Sequence, residues 1–265
     1  MTIEFHREGR GPPLVLLHGI GHHWQAWRPV IDRLAPSFDV IACDSPGFGR
    51  SSPLPPEVEP TIPAYTDAFA RFFGELGLAR PHVAGNSMGA AIALELARRD
   101  IVASATALSP AGFWTPAERR WCQRTSLGLV AYLPKPLGAP VAALARTRIG
   151  RIVLLAQLFA HPTRVPPDEA AATLRDAVDA PAFRAALKAF DRYRYEPSTP
   201  GGPVPVTVAW GRRDWLLPYR LQAPRARRLL PDARHVALGT GHVPYFDDPD
   251  AVAEVIRCRT SHAGA

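Results

Sequence analysis

The chain has 265 residues, a net charge of +7 and 47% hydrophobic content, which is enough to bury one sizeable core with an insertion. Its positive charge is mostly arginine, spread in pairs and triplets such as Arg98-Arg99 and Arg225-Ala226-Arg227-Arg228, so nucleic acid is excluded as an expected partner because a binding stripe needs clustering. The N-terminal residues lack signal-peptide patterning, no apolar run reaches the ~18 residues of a membrane span, and Cys43, Cys122 and Cys258 are too scattered for a disulfide framework or a zinc site; a cytoplasmic chain is expected.

In chain order, Ile3-Glu4-Phe5 reads as a strand, and strands follow at 13–18, 39–43, 81–86, 101–108, 204–210 and 233–238. They alternate with helical segments, which predicts an α/β fold with a mainly parallel sheet covered on both faces. Cys43 falls inside an apolar strand as a small core residue. Trp24 and Trp27 stand at helical spacing and can start the first covering helix. Between Pro63 and Leu78, Tyr65, Phe69, Phe72, Phe73 and Leu76 recur at helical spacing and form one apolar stripe.

The strand at 81–86 runs directly into Gly85-Asn86-Ser87-Met88-Gly89 and an alanine-rich helix. A serine on such a strand-to-helix turn is a candidate nucleophile, because the turn lifts its hydroxyl clear of the sheet and needs glycine on either side. The first amide of the new helix, on Met88, aims an unpaired donor at an oxyanion forming beside Ser87. Upstream stands His18-Gly19-Ile20-Gly21; downstream stand Gly211-Arg212-Arg213-Asp214 and Gly239-Thr240-Gly241-His242. His242 follows a strand in a flexible loop, where an imidazole can act as general base. Asp214 follows the preceding strand through a short turn and can hold that imidazole's rear nitrogen. Asp247 and Asp248 are read as caps of the last helix.

Taken together, these motifs and the loop Asp44-Ser45-Pro46-Gly47-Phe48-Gly49-Arg50-Ser51 make the chain resemble the α/β-hydrolase superfamily, in its capped serine-hydrolase branch. The resemblance spans nearly the whole sequence and places its triad in the order Ser87, Asp214, His242. It implies an oxyanion hole made by the backbone amides of Ile20 and Met88, with His18 structural. It also implies a core of residues 1–112 and 203–265 interrupted by a helical cap at 113–202, where the composition turns to proline-punctuated helical pieces. Trp114, Trp121, Tyr132, Leu158, Phe159, Phe190 and Tyr193 are candidates for the cap's underside, and His22, Trp215 and Val243 for the rest of the pocket. Pro134-Lys135-Pro136 and the stretch from Pro197 to Pro203 read as connection or hinge material.

One fold hosts many reactions. Ser87 sets aside the relatives that attack with aspartate. Gly-Asn-Ser-Met-Gly is similar to the sequence in hydrolases of ring-cleavage dienoates, but their glycine- and proline-rich oxyanion segment is absent. The expected activity is therefore hydrolysis of a small carboxylic ester with an apolar portion, through an acyl-enzyme and with no metal or organic cofactor. Carbon–carbon bond hydrolysis of a ring-cleavage diketone or dienoate is the second reading. Cofactor-free peroxidation, which the resemblance also admits, comes third, and a non-turnover small-molecule binder of the same fold stays open as a reading from another class.

Overall fold

The computed structural model describes residues 1–196 and 204–260. In chain order the first half comprises β1 (Phe5–Gly9), β2 (Pro13–Leu17), α1 (Arg28–Leu34), β3 (Asp39–Cys43), α2 (Ile62–Glu75), β4 (His82–Asn86), α3 (Met88–Arg98) and β5 (Ser104–Leu108). Six helices follow without a strand: α4 (Pro116–Arg124), α5 (Ser126–Ala131), α6 (Lys135–Arg146), α7 (Arg148–Leu155), α8 (Pro167–Asp179) and α9 (Phe183–Ala189). The chain then re-enters the sheet with β6 (Val206–Gly211), α10 (Tyr219–Leu229), β7 (Arg234–Leu238) and α11 (Pro249–Thr260).

The seven strands lie in the order β1-β3-β2-β4-β5-β6-β7. All neighbours pair in parallel except β1, which runs antiparallel to β3 along the edge, with Phe5 opposite Cys43 and Gly9 opposite Asp39. The expected strand at residues 3–5 is thus a longer edge strand beginning at Phe5. The expected strand at 101–108 is shorter, because Arg99 to Ala103 turn out of α3.

Alternation along the buried strands builds two cores. Val15 and Leu17 of β2 point to a cluster with Tyr65, Phe69 and Phe73 of α2 and the small residues of α3. Leu14 and Leu16 point to the opposite cluster, with Trp27, Val30 and Leu34 on one side and Val252, Ala253 and Ile256 of α11 on the other. All ten residues from Met88 to Ala97 are buried. Alanine at positions 90, 91, 93 and 97 lets this helix lie close to the sheet, which an amphipathic surface helix would not need to do. Thr61 caps α2 by accepting from Ala64 N. Trp24–Trp27 forms a short 3₁₀ turn that leads into α1.

The six helices from α4 to α9 occupy the interval between β5 and β6. Pro134 stands immediately before α6 as its N-terminal boundary residue. The second expected hinge, residues 197–203, and the expected boundary at 202/203 lie outside the described residues. Among the described residues, no helix is long and apolar enough to cross a membrane.

Candidate active site

Ser87 is the single residue between β4 and α3, with φ 55° and ψ −111°. A side chain in this region is strained by roughly 1–3 kcal/mol and persists only where its surroundings hold it. Here its amide donates to Leu108 O (3.0 Å), and its carbonyl accepts from Ala91 N (3.0 Å) and Ala111 N (3.2 Å). The flanking glycines are required by space: a Cβ on Gly85 would run into the Gly89 carbonyl, and one on Gly89 would run into Leu17 O. Neither adopts a positive φ, so the constraint is close approach of backbone segments.

Asp214 and His242 meet behind this turn. Asp214 Oδ2 lies 2.8 Å from His242 Nδ1, and both side chains are buried. The other carboxylate oxygen accepts from Leu216 N (3.0 Å) and Leu217 N (2.7 Å). These two amides fix which oxygen faces the imidazole. The proton between the pair sits on Nδ1, because an ionised carboxylate can only accept; Nε2 is left as the ring's acceptor.

Two residues missed by the sequence reading hold the His242 loop. Asn86 Nδ2 donates to His242 O (2.9 Å) and to Leu108 O (3.1 Å), tying the nucleophile strand to the loop. The second position of the pentapeptide gave no signal for this role. Asp247, expected to cap the last helix, instead accepts from Gly241 N (2.8 Å), Ala160 N (2.9 Å) and His161 N (2.7 Å), so it clamps the loop to the segment between α7 and α8. Only Asp248 caps α11, accepting from Ala251 N. The reason is position: the chain turns between Asp247 and Asp248, which directs their side chains to different partners.

The segment after β2 approaches Ser87 from the other side. A Cβ on Gly19 would lie 3.3 Å from Ser87 Cβ and 3.3 Å from Asn86 Oδ1. The Ile20 and Met88 amides donate no hydrogen bond among the described residues, which leaves both available to a ligand oxygen. His18 is fully occupied: its Nδ1 donates to Gly19 O (2.7 Å) and its Nε2 accepts from Ser45 N (2.8 Å).

Burial dominates the ionisation of the two innermost histidines. It lowers His18 to about 4 against a weaker opposing field from Asp44, and lowers His22 to about 3 with help from the neighbouring His23, His18 and His242. His23 goes the other way. Burial pulls it down, but Asp176 of α8, with Nε2 and Oδ2 3.0 Å apart, outweighs burial together with Gln25 and Glu169. The contribution of His18 and His22 to stability should therefore be full above pH 6.5 and fall as pH drops toward 4, since the unfolded chain protonates both while the folded chain resists. The cost is roughly 2–3 kcal/mol for each at about pH 4.5. His23 has the opposite sign: its contribution is present at low pH and is lost as pH rises through its folded pKa. A urea midpoint that stayed flat between pH 7 and about pH 4.5 would contradict this arithmetic.

Ser87, His242, Asn86, Ile20 and His22 line one cavity, open at its mouth to solvent. Its other walls are apolar: Leu127 and Val130 of α5, Leu154 and Leu155 of α7 with Leu158 beyond it, Leu174 and Ala177 of α8, Phe183 of α9, and Leu216 and Val243 from the core. Thr173 adds a hydroxyl, and among the described residues no Lys, Arg, Asp or Glu lines the space. Of the residues expected at the pocket, the cavity receives His22, Leu158 and Val243. Trp114 is turned away into the core, donating from Nε1 to Tyr193 O (3.1 Å) and packing on Phe190. Phe159 is buried one residue past Leu158 on the opposite side, against Phe246. Trp121 and Trp215 meet each other outside the cavity, Trp121 Nε1 donating to Trp215 O, and Tyr132 is exposed. Aromatic size predicted burial there but not which side of a thin helical layer each ring would take.

Comparison with known proteins agrees with this architecture. Residues 12–249 match the family model described as alpha/beta hydrolase fold. A thermophilic esterase from Thermogutta terrifontis superposes with a TM-score of 0.76 at 25% identity, covering 99% of this chain and 94% of the esterase. A meta-cleavage product hydrolase from Pseudomonas fluorescens superposes with a TM-score of 0.72 at 21% identity, covering 99% of this chain and 95% of that one; this likeness is one of fold. An uncharacterised protein of Mycobacterium tuberculosis is 27% identical over 267 residues, covering 95% of this chain and 76% of its own length.

Proposed function

The chain belongs to the α/β-hydrolase fold family, and from that premise we propose that it is a serine hydrolase that cleaves a small, uncharged carboxylic ester through an acyl-enzyme. The observation that carries the reading is the buried 2.8 Å contact between Asp214 and His242, in a loop tied by Asn86 to the strained Ser87 turn on the floor of an apolar cavity. In this reading α4 to α9 form the cap, and the cavity lies between cap and core.

The reaction follows from the geometry. Ser87 Oγ attacks the ester carbonyl while His242 Nε2 takes its proton; the carbonyl π electrons move onto the oxygen, which the Ile20 and Met88 amides hold. Asp214 keeps the imidazole in the tautomer that can accept and balances the imidazolium. Collapse of the tetrahedral species expels the alkoxide, which leaves with the proton from His242. Water, deprotonated by the same Nε2, then attacks the acyl carbon, and collapse returns the proton to Ser87 and releases the acid.

Lining chemistry separates this reading from carbon–carbon bond hydrolysis. A ring-cleavage dienoate brings a carboxylate, and burying it against leucines without a cationic partner is costly. His22 does not supply that charge, because burial keeps it neutral. Short- to medium-chain nitrophenyl esters should be turned over, with kcat/KM at least a hundredfold above that for an ester of the same length ending in a free carboxylate. Equal rates for the two would count against the neutral-ester assignment. A protein that acquired no adduct on Ser87 from a fluorophosphonate and released no product from any ester would instead be the non-turnover binder.

A further inference from the structure

The outer face of the helical layer has a composition that water alone does not explain. On α7, Leu154, Leu155 and the following Leu158 face the cavity, while Ile149, Ile152 and Val153 on the other side are exposed, Ile149 by 74% and Val153 by 68%. The helix is apolar on both sides, a pattern expected when both are covered. Its neighbour α6, which does not line the cavity, also carries Leu137 and Leu144 about half exposed, and Leu129 of α5 is 73% exposed. Isolated exposed leucines need no explanation, but consecutive helices presenting them on one layer do.

The charge around this face is of one sign. From Arg119 to Pro167 the sequence holds eight Lys or Arg residues and not one Asp or Glu. Arg120, Arg124, Lys135, Arg146 and Arg148 are exposed there. The nearest acids come from flanking elements, and four are engaged: Asp168 with Arg146, Asp191 with Arg119, Glu118 with Arg225, and Asp176 with His23; Glu169 is half-buried within α8 and Asp179 is exposed at its end, so the basic residues of α5 to α7 still outnumber the free acids beside them.

We propose that the exposed face of α5, α6 and α7 docks on an anionic lipid surface, with the aliphatic side chains entering the interface and the arginines meeting lipid headgroups. Helices that lie in a membrane surface combine these two features, and each basic side chain adds its attraction to the negative surface. A second copy of the chain fits less well, because it would set the same positive charges opposite one another. For α5 and α7 the docked face is the outside of a wall whose inside lines the cavity, which would hold a lipid-borne ester close to the site; this last step rests on the hydrolase reading, whereas docking itself does not.

The test uses the full chain carrying Ser87→Ala, so that binding is read without turnover, sedimented with vesicles of phosphatidylcholine alone or with about 30% phosphatidylglycerol. Partitioning should be at least tenfold stronger on the anionic vesicles and should fall away at high salt. Arg124→Gln and Arg148→Gln should each weaken it roughly fivefold, and the double change Ile149→Asp with Val153→Asp at least tenfold. With Ser87 restored, that double variant should melt as the parent does and hydrolyse a soluble short-chain ester at the parental rate. Equal binding to both vesicle types, or parental binding by the aspartate variant, overturns the proposal. So does a dimer that the same aspartates dissociate without any vesicle binding, which would assign the face to a second copy. Loss of ester hydrolysis in every form would sink the proposed activity and leave the sedimentation result standing.

Discussion

Replacing Ser87 by alanine is expected to lower kcat for a nitrophenyl ester by roughly a millionfold while leaving the fold intact. Alanine keeps the Cβ that already tolerates φ 55°, so the turn's strain and its three backbone hydrogen bonds are unchanged. The cavity loses one oxygen atom from its floor, and KM should move little. What disappears is the atom that forms the acyl-enzyme. The residual rate should remain above that in water, because the Ile20 and Met88 amides still meet the carbonyl oxygen. Steady-state kinetics with intact mass after fluorophosphonate treatment measures both parts. A variant retaining even a tenth of the parental rate would show that the acyl group is not carried by Ser87.

Asp214→Asn should cost about ten-thousandfold in kcat with little change in stability. The substitution preserves volume in a fully packed site. Two backbone donors, Leu216 N and Leu217 N, already claim one side-chain oxygen, so the asparagine must keep its carbonyl oxygen toward them. Its NH₂ then faces His242 Nδ1, which can pair with it only as an acceptor. The ring proton moves to Nε2, the nitrogen that has to receive the Ser87 proton, and the base is lost without being displaced. NMR of the imidazole protons would report the tautomer directly, and a full-rate Asp214→Asn enzyme would mean that another group orients His242.

Much of this arrangement was legible along the chain. Glycines at 85 and 89 flanking a serine, between an apolar strand and a run of small residues, carry a steric demand that local sequence can display. The parallel sheet followed from apolar strands alternating with helical stripes, and the family resemblance pointed to Ser87, Asp214 and His242, of which the fold brings Asp214 and His242 into contact. The edge strand was read too short because its half-exposed residues, Phe5 to Gly9, lack the apolar density of the central strands. The pocket lining was read least well. Trp114, Trp121, Phe159 and Trp215 share the size and hydrophobicity of lining residues, but which side of a helix faces the cavity depends on how α4 to α9 pack on one another.

What the sequence by itself determined is local: the strained turn, the elements, and the chemical types available at each strand end, because backbone sterics and side-chain period act over a few residues. Tertiary structure alone decided the long-range pairings: Asn86 holding a loop 156 residues away, Asp247 clamping that loop to the helical insertion, His22 buried and neutral, and an apolar, arginine-bearing face left outside the cavity wall. Each of these depends on which distant segments are brought within hydrogen-bonding reach and which are left in water, and no short window of sequence encodes that choice.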